Sequence, residues 1–374
     1  MSNHPNQPRL DDAVFGGQAP PPVNAIVLGG IEGVKRTLSG TSVEHKITAL
    51  KDALKYGKEG LELVVIALKD LEPIQKIAYD LLIKYTQNSR ILKALWAYQP
   101  ILLKTIEIPY LKQLTILAFS PDGQNLLIGD RNGTIKVLYW QMAQRSNIKA
   151  EQPEKCHEHE YSKEISTHKG YLAGVISICW SQDGQALVSS SQGTVIDIRS
   201  LDGKKIHNFN FLGHHKNIAA IAFTPDSQIL VSGLDFADQT VKVWNLGNGV
   251  EICNLGSYLN AKPLTFSPDG KTLVINCRDQ KTRLWNLQTG QNIHTLKGHL
   301  GVTSAAFNFD GTILATSSRY GVQVWDVETG SEICTLTQDS RHSSGDPQSV
   351  AFSPDGKTIV SGYYWGTSIM VWSI

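Results

Sequence analysis

Six short segments of this chain have nearly the same sequence. Each begins with an aromatic residue and reaches an aspartate three positions later, as in Phe119-Ser-Pro-Asp-Gly123. The other five begin at Trp180, Phe223, Phe266, Phe307 and Phe352, so that successive copies start 61, 43, 43, 41 and 45 residues apart. A period of this size indicates a repeat architecture. Repeat folds mostly present extended surfaces, which favours a binding function over a single deep catalytic site.

The sequence around each copy predicts four β-strands. A short apolar run such as Leu114–Phe119 ends in the aromatic residue. In the turn that follows, Pro presets φ, Asp bonds to its own backbone and Gly accepts a positive φ. Further apolar runs follow at 229–233, at 240–244 ending in Trp, and at 292–296. Short runs separated by turn residues at this spacing predict a protein that is all-β over most of its length.

These units resemble the WD-repeat family. The characteristic Gly-His pairs stand at Gly213-His214 and Gly298-His299, and Trp-Asp stands at Trp325-Asp326. The resemblance covers about 101–374 and implies a β-propeller of four-stranded blades. Six units are detectable. A degenerate seventh remains open, because seven blades are commoner in the family.

Two irregular segments of the propeller region need an explanation. An insertion at about 141–168 accounts for the 61-residue gap between the first two copies. The last unit ends at Trp372 without a fourth strand, and an unpaired edge would invite aggregation. We therefore expect the segment 101–108, which precedes the first unit, to supply that strand and to close the ring.

The resemblance also implies a hydrogen-bonded tetrad within each blade. Only the third unit matches it fully, with His214, Ser232, Asp238 and Trp244. Because a buried polar network stiffens a structure only when every member is satisfied, we predict that the third blade is the best ordered. We interpret its histidine and aspartate as structural residues rather than as a catalytic pair.

The first hundred residues have a different character. Residues 1–22 are rich in Pro, Gly and Asn and are interpreted as a mobile tail, whereas 23–100 has helical apolar spacing. The stretch Ala67–Tyr79 resembles the junction of a HEAT-type helical pair, which implies a small helical domain. We expect this domain to pack on the propeller or on another protein. Helices are predicted from the segment after Val23 and near 42–55, 60–69, 72–84 and 88–98.

The amino-acid composition limits the classes of partner that we expect this protein to bind. The chain has 35 Lys and Arg against 34 Asp and Glu, so no charge excess points to nucleic acid or to an anionic membrane. No apolar run is long enough to cross a bilayer, and the polar first ten residues do not look like a signal peptide. Five scattered cysteines without a CxxC pair favour a cytoplasmic protein with free thiols. No cofactor is expected.

One group of residues in the insertion has metal-binding character. It contains cysteine and histidine side chains, which are ligands that zinc prefers. The polar, charged loop that carries them lacks the paired spacing of a zinc site. A solvated surface loop is therefore the favoured interpretation, and a metal site or a partner-docking loop are the alternatives. The candidate ligands are Cys156, His157, His159 and His168.

The loops between the second and third strands are the candidate binding surface. In the family these loops line one rim of the propeller. Here they are rich in Arg, Tyr and Trp, the residues that dominate interface hot spots. The alternative is that the aromatic residues cover the channel or fill gaps between blades. The candidate residues are Arg131, Phe236, Arg278, Arg319, Tyr320, Tyr363, Tyr364 and Trp365.

These observations favour a non-catalytic scaffold that binds partner proteins or peptides through the rim and the helical domain. A propeller-channel hydrolase is one alternative, although no catalytic triad or paired carboxylates stand out. A nucleic-acid-associated adaptor is the other, and the near-neutral charge argues against it. The sequence leaves the oligomeric state open.

Overall fold

The computed structural model divides the chain into two compact units, Met1–Gln99 together with Ile374, and Pro100–Ser373. The structure describes residues 30–98, 100–108, 113–140, 162–167, 175–180, 184, 186–191, 195–200, 205–210, 218–223, 229–234, 241–245, 250–254, 261–277, 279–336, 347–363 and 368–374. Among these residues no helix is both long enough and apolar enough to span a membrane.

The first unit is helical in its described part. Its core is formed by apolar side chains that are fully buried, among them Leu50, Leu82 and Trp96. Single 3₁₀ turns extend the second and fourth helices at 54–56 and 83–85. The helices are α1 (Gly30–Leu38), α2 (Val43–Ala53), α3 (Gly57–Ala67), α4 (Ile74–Leu82) and α5 (Ser89–Tyr98).

Most helix boundaries follow from local chemistry. The Ser42 hydroxyl accepts the N–H of His45 and so caps α2, as its sequence predicts. Asn88 plays the same part for α5, because its side-chain oxygen accepts the N–H groups of Arg90 and Ile91. Helix α1 was not predicted from the sequence, and the segment 23–28 that was predicted to be helical lies outside the described residues.

Two glycines set the junction between α2 and α3. Gly57 has a φ of 57° and follows the 3₁₀ turn, so it ends one helix and begins the next. Gly60 allows close packing, since a Cβ at that position would lie 1.7 Å from the carbonyl oxygen of Ala53.

The second unit consists of four-stranded antiparallel sheets, six of them in its described part. Sheet 1 contains β2 (Leu114–Phe119), β3 (Asn125–Asp130), β4 (Thr134–Tyr139) and β5 (Ser162–Thr167). Sheet 2 contains β6 (Val175–Trp180), β7 (Ala186–Ser191), β8 (Val195–Ser200) and β9 (Lys205–Asn210). Sheet 3 contains β10 (Ile218–Phe223), β11 (Ile229–Leu234), β12 (Val241–Asn245) and β13 (Glu251–Asn254).

The remaining sheets follow the same order along the chain, with one exception. Sheet 4 contains β14 (Ala261–Phe266), β15 (Thr272–Cys277), β16 (Lys281–Asn286) and β17 (Gln291–Leu300). Sheet 5 contains β18 (Ser304–Phe307), β19 (Ile313–Ser318), β20 (Gly321–Asp326) and β21 (Glu332–Leu336). Sheet 6 contains β22 (Pro347–Phe352), β23 (Thr358–Tyr363), β24 (Ser368–Ser373) and, from the start of the unit, β1 (Ile101–Glu107).

The origin of β1 confirms one prediction. β1 pairs antiparallel with β24, from Ile101 opposite Ser373 to Glu107 opposite Ser368. The segment before the first unit therefore supplies the fourth strand of the last sheet.

The strand β5 corrects another prediction. Residues 162–167 were assigned to the insertion, but they pair with β4 from Thr134 opposite Thr167 to Leu138 opposite Ser162. The sequence Ser-Lys-Glu-Ile-Ser-Thr is mostly polar because an outer strand has little apolar surface to bury, so its composition resembles that of a loop.

Neighbouring sheets share apolar cores. Leu117 and Leu126 of sheet 1 pack in one cluster with Val360 and Val371 of sheet 6. A second cluster joins sheet 1 to sheet 2 and a third joins sheet 4 to sheet 5. The first strands of successive sheets are neighbours, and β22 of the last sheet lies beside β2 of the first.

Candidate functional site

Antiparallel pairing gives each sheet two distinct ends. Turns between first and second strands lie at one end, which we call the turn end; its described turns are 120–124, 267–271, 308–312 and 353–357. Loops between second and third strands lie at the opposite end, which we call the loop end; its described residues are 131–133, 279–280 and 319–320.

The turn ends of neighbouring sheets contact one another. Gly123 of sheet 1 faces Pro354 of sheet 6, so closely that a Cβ on the glycine would lie 3.1 Å from the proline Cδ. Gly311 of sheet 5 and Pro268 of sheet 4 repeat this arrangement at the same distance. The repeated Pro-Asp-Gly motif therefore also serves packing between sheets.

The turn aspartates accept hydrogen bonds from groups of their own turns. The Asp122 carboxylate accepts the Ser120 hydroxyl at 2.5 Å and the backbone N–H of Gln124 at 3.0 Å. Sheets 4 and 6 contain the same contacts around Asp269 and Asp355. The hydrogen bond from Ser267 lowers the pKa of Asp269, so this group is a carboxylate at neutral pH and does not suit the role of a general acid.

The loop end of sheet 5 exposes an arginine and a tyrosine. Arg319 and Tyr320 form the two-residue turn between Ser318 and Gly321, which pair with each other. The guanidinium lies 4.8 Å from the Tyr320 ring centroid and donates to the Tyr320 hydroxyl at 2.5 Å. The N–H of Tyr320 is held by the Ser318 hydroxyl at 3.1 Å. Both side chains are exposed, Tyr320 by 53 %.

The loop end of sheet 1 is held by a buried carboxylate. Asp130 is 1 % exposed and accepts the backbone N–H groups of Asn132 and Thr134, both at 2.8 Å. Arg131 lies next to it and is exposed, and its guanidinium donates to the side-chain oxygen of Gln113 at 3.0 Å. The aspartate thus fixes the loop from which the arginine projects.

The loop end of sheet 4 contains a compact ion pair. Arg283 donates two hydrogen bonds to Asp279, at 3.0 and 2.5 Å. These bonds lower the pKa of Asp279 to about 2. The thiol of Cys277 lies beside the guanidinium, but burial raises the pKa of that thiol. A protonated, buried thiol is a poor nucleophile.

The structure places the predicted rim residues unequally. Arg131, Arg319 and Tyr320 are exposed at the loop end, and their part in binding stays a prediction. Tyr363 is 3 % exposed, and burial raises the pKa of its hydroxyl. Tyr363 at the end of β23 is therefore not an exposed rim side chain, which favours the alternative that an aromatic residue here fills space in the interior. Phe236, Arg278, Tyr364 and Trp365 lie outside the described residues.

Parts of the predicted tetrad can be located. Trp244 is buried in β12 and stands opposite Leu230 of β11, the strand that also contains Ser232. His214 and Asp238 lie outside the described residues, so the full set in the third sheet stays a prediction.

A tryptophan–hydroxyl pair of the same kind is present in sheets 5 and 6. The indole N–H of Trp325 donates to Thr316 at 2.8 Å, and that of Trp372 donates to Ser361 at 3.2 Å. These pairs were not predicted from the sequence, because only a complete set of four residues counted as a match to the tetrad. The signal was present, since each hydroxyl residue follows the turn aromatic by nine positions.

Serine hydroxyls also connect the sheets. Ser349 of β22 accepts the N–H of Leu117 in β2 at 2.8 Å, which joins the last sheet to the first. Ser304 of β18 accepts the N–H of Val350 in β22 at 3.4 Å. These bonds satisfy donors on strands at the inner edge of their sheets, where no fifth strand pairs with them.

The proposed metal ligands Cys156, His157, His159 and His168 all lie outside the described residues. Within the described residues, no group of three or more His, Cys, Asp or Glu side chains is arranged to hold a metal ion.

The family of the chain is established by comparison with known proteins. The signature of the WD domain, G-beta repeat family matches five segments that together make up half of the chain: 110–138, 162–196, 203–245, 290–326 and 331–373. The chain therefore belongs to the WD-repeat family. Most of sheet 4 falls between the matched segments, yet its four strands are present.

Individual relatives share only part of their length with this chain. A WD repeat-containing protein of Synechocystis is 25 % identical over 162 residues, which are 43 % of this chain and 40 % of that protein. A U3 small nucleolar RNA-associated protein 15 homolog of Xenopus laevis is 30 % identical over 96 residues, which are 25 % of this chain and 18 % of that protein. The WD repeat-containing protein slp1 of Schizosaccharomyces pombe is 25 % identical over 122 residues, which are 32 % of this chain and 25 % of that protein.

Proposed function

We propose that this chain is a non-catalytic scaffold that binds partner proteins through the loop end of a closed, six-bladed propeller. The observation that carries the proposal is the exposed Arg319–Tyr320 turn. Arginine and tyrosine are enriched at interface hot spots, and an exposed aromatic side chain needs a reason. The two-residue turn fixes both side chains, so that little conformational entropy is lost when a partner binds.

Three kinds of contact support the closed ring. The last sheet is joined to the first by the apolar core cluster of sheets 1 and 6, by the hydrogen bond from Leu117 to Ser349 and by the contact of Gly123 with Pro354. Gly362 of sheet 6 adds to them, because a Cβ there would lie 2.3 Å from a methyl group of Leu114. Closure removes exposed sheet edges, which is the physical advantage of a propeller.

The contacts of the polar groups support a non-catalytic role. The turn carboxylates are engaged by hydroxyl and backbone N–H groups of their own turns. Burial raises the pKa of Cys334 to about 12, so its thiol is protonated at neutral pH. Cys277 and Cys334 are both free thiols, which supports the proposed cytoplasmic location.

The helical unit is proposed as a second protein-binding module of HEAT-like construction. Its consecutive amphipathic helices, with α4 following an acidic-Pro turn, support that likeness. Leu71 in this turn is 81 % exposed, and its N–H is held by the Asp70 side chain. A fixed, exposed leucine suits contact with another protein.

A nucleic-acid-associated adaptor is the second candidate function. The observation that favours it is the similarity to U3 small nucleolar RNA-associated protein 15 homologs. The similarity extends over about a fifth of those proteins and about a quarter of this chain.

The test is a quantitative pull-down with the full chain as bait, from lysate with and without ribonuclease. The test variant is Arg319→Ala with Tyr320→Ala, and Lys357→Ala at the turn end is the matched control. The scaffold proposal expects proteins that wild type and control retain in both lysates and that the double variant loses. Partners that disappear after ribonuclease treatment would favour the adaptor, and no specific partner would contradict both functions.

A further inference from the structure

The described residues of the loop end carry more positive than negative charge. The exposed side chains of Lys281 and Arg319 place two positive charges on sheets 4 and 5. The carboxylates described at this end are already engaged. Asp279 is bound by two N–H groups of Arg283, and Asp130 is 1 % exposed. The described loop end therefore presents a basic surface.

The described residues at the turn end of the same sheets carry more negative than positive charge. Four exposed aspartates stand there, one on each of sheets 1, 4, 5 and 6, and Glu328 of sheet 5 is also exposed. Lys271 and Lys357 are the nearby cations. The aspartates are Asp122, Asp269, Asp310 and Asp355. The described sheets therefore differ in charge between their two ends, whereas the whole chain has a net charge of only +1.

We infer that the loop end binds an acidic peptide segment of a partner protein, with Arg319 and Tyr320 as its anchor. One guanidinium N–H of Arg319 binds the Tyr320 hydroxyl, and arginine has five such donors in a planar fork. The others can bind a partner carboxylate with two parallel bonds, the strong geometry for this pair. The Tyr320 ring supplies apolar contact area beside that ion pair.

The turn end contributes to the selection of the partner. A segment rich in Asp and Glu is attracted by Lys281 and Arg319 and is repelled by the turn aspartates. Complementary charge of this kind raises association rates and suppresses binding in the wrong orientation. The basic loop end and the acidic turn end thus direct an acidic segment to one face of the molecule. This inference rests on the proposed scaffold function and specifies the chemistry of its partner.

The experiment measures binding of fluorescein-labelled peptides to the full chain by anisotropy at low and at high salt. The probes are a peptide of alternating Glu and Leu, a peptide of the same length with Lys in place of Glu, and an oligouridine RNA. The test variant is Lys281→Gln with Arg319→Gln. The control variant is Lys271→Gln with Lys357→Gln, which removes the same charge from the turn end.

The expected result is saturable binding of the acidic peptide that salt weakens. The test variant should weaken it about tenfold or more, whereas the control variant should leave it unchanged. Any of three results would overturn the inference. Both variants could weaken binding equally, the acidic peptide could show no saturable binding, or the basic peptide or the RNA could bind more tightly than the acidic peptide. If the pull-down nevertheless retains protein partners, only their proposed chemistry is wrong, whereas loss of all partners would remove the scaffold function itself.

Discussion

Replacing Ser349 by alanine tests how the last sheet is joined to the first. The side chain is fully buried on β22, and its hydroxyl accepts the N–H of Leu117 at 2.8 Å. Leu117 is 4 % exposed, so the variant leaves a buried N–H without that acceptor. An unsatisfied buried donor costs about 1–3 kcal/mol. The replacement changes side-chain volume little, and the expected loss is therefore almost entirely due to the hydrogen bond.

The chain contains a weaker version of the same bond. Ser304 accepts the N–H of Val350 at 3.4 Å, and Ser304 is only partly buried. A long bond with access to water contributes less, so Ser304→Ala should cost below about 1 kcal/mol. Ser331→Ala, at an exposed turn, is the control and should remain within about 0.5 kcal/mol of wild type.

Two measurements can detect the loss of stability that these substitutions should cause. Urea unfolding followed by tryptophan fluorescence gives the change in the free energy of unfolding. Hydrogen exchange reports on the Leu117 amide directly, and its rate should rise about tenfold for each 1.4 kcal/mol lost. The reasoning would be refuted if Ser349→Ala were as stable as the Ser331→Ala control, or if it cost no more than Ser304→Ala.

Three further predictions concern other contacts. Thr316→Val should cost about 1–3 kcal/mol, because the buried indole N–H of Trp325 loses its acceptor; an unchanged urea midpoint would contradict this. Asp279→Asn should cost about 1 kcal/mol or less at neutral pH, since the side chain is 43 % exposed and solvent screens its pair with Arg283. The folded-state pKa of about 2 lies below the unfolded value near 3.8, so the contribution is present above the unfolded value and is lost as pH falls through about 2. Urea midpoints of the wild type and this variant should converge over that range, and a constant difference would exclude the pair as the cause. Gly60→Ala should cost about 1–3 kcal/mol in thermal unfolding followed by circular dichroism, because a Cβ would overlap a carbonyl of α2; a higher melting temperature would show that the helices separate easily.

The repeat pattern predicted much of the fold because its signals are local. The Pro-Asp-Gly turns have positive φ at Gly123, Gly270 and Gly356, which is the backbone conformation that the glycines imply. The apolar runs before and after these turns form strands β2, β14 and β22 and their partners. Local backbone preference and apolar patterning acted here in the same direction, so the sequence sufficed.

The prediction was weaker where strands carry little apolar signal. The polar β5 was assigned to a loop, because an outer strand is held by backbone bonds to β4 rather than by its side chains. The buried Tyr363 was grouped with the exposed Arg319 because both stand near the end of a second strand, although Tyr363 is the last residue of β23 and Arg319 follows β19. Burial of a loop residue depends on what the neighbouring sheet places beside it.

The sequence by itself determined the repeat, most of the strand positions and the strand that β1 adds to sheet 6, since turn chemistry and apolar alternation act over a few residues. Only the tertiary structure decided which polar groups meet. The N–H of Leu117 meets the Ser349 hydroxyl, and the N–H of Val350 meets the Ser304 hydroxyl, only because strands of different sheets lie side by side; these partners are 232 and 46 positions apart. Such contacts leave no local pattern, because each partner alone is an ordinary residue of its strand or loop.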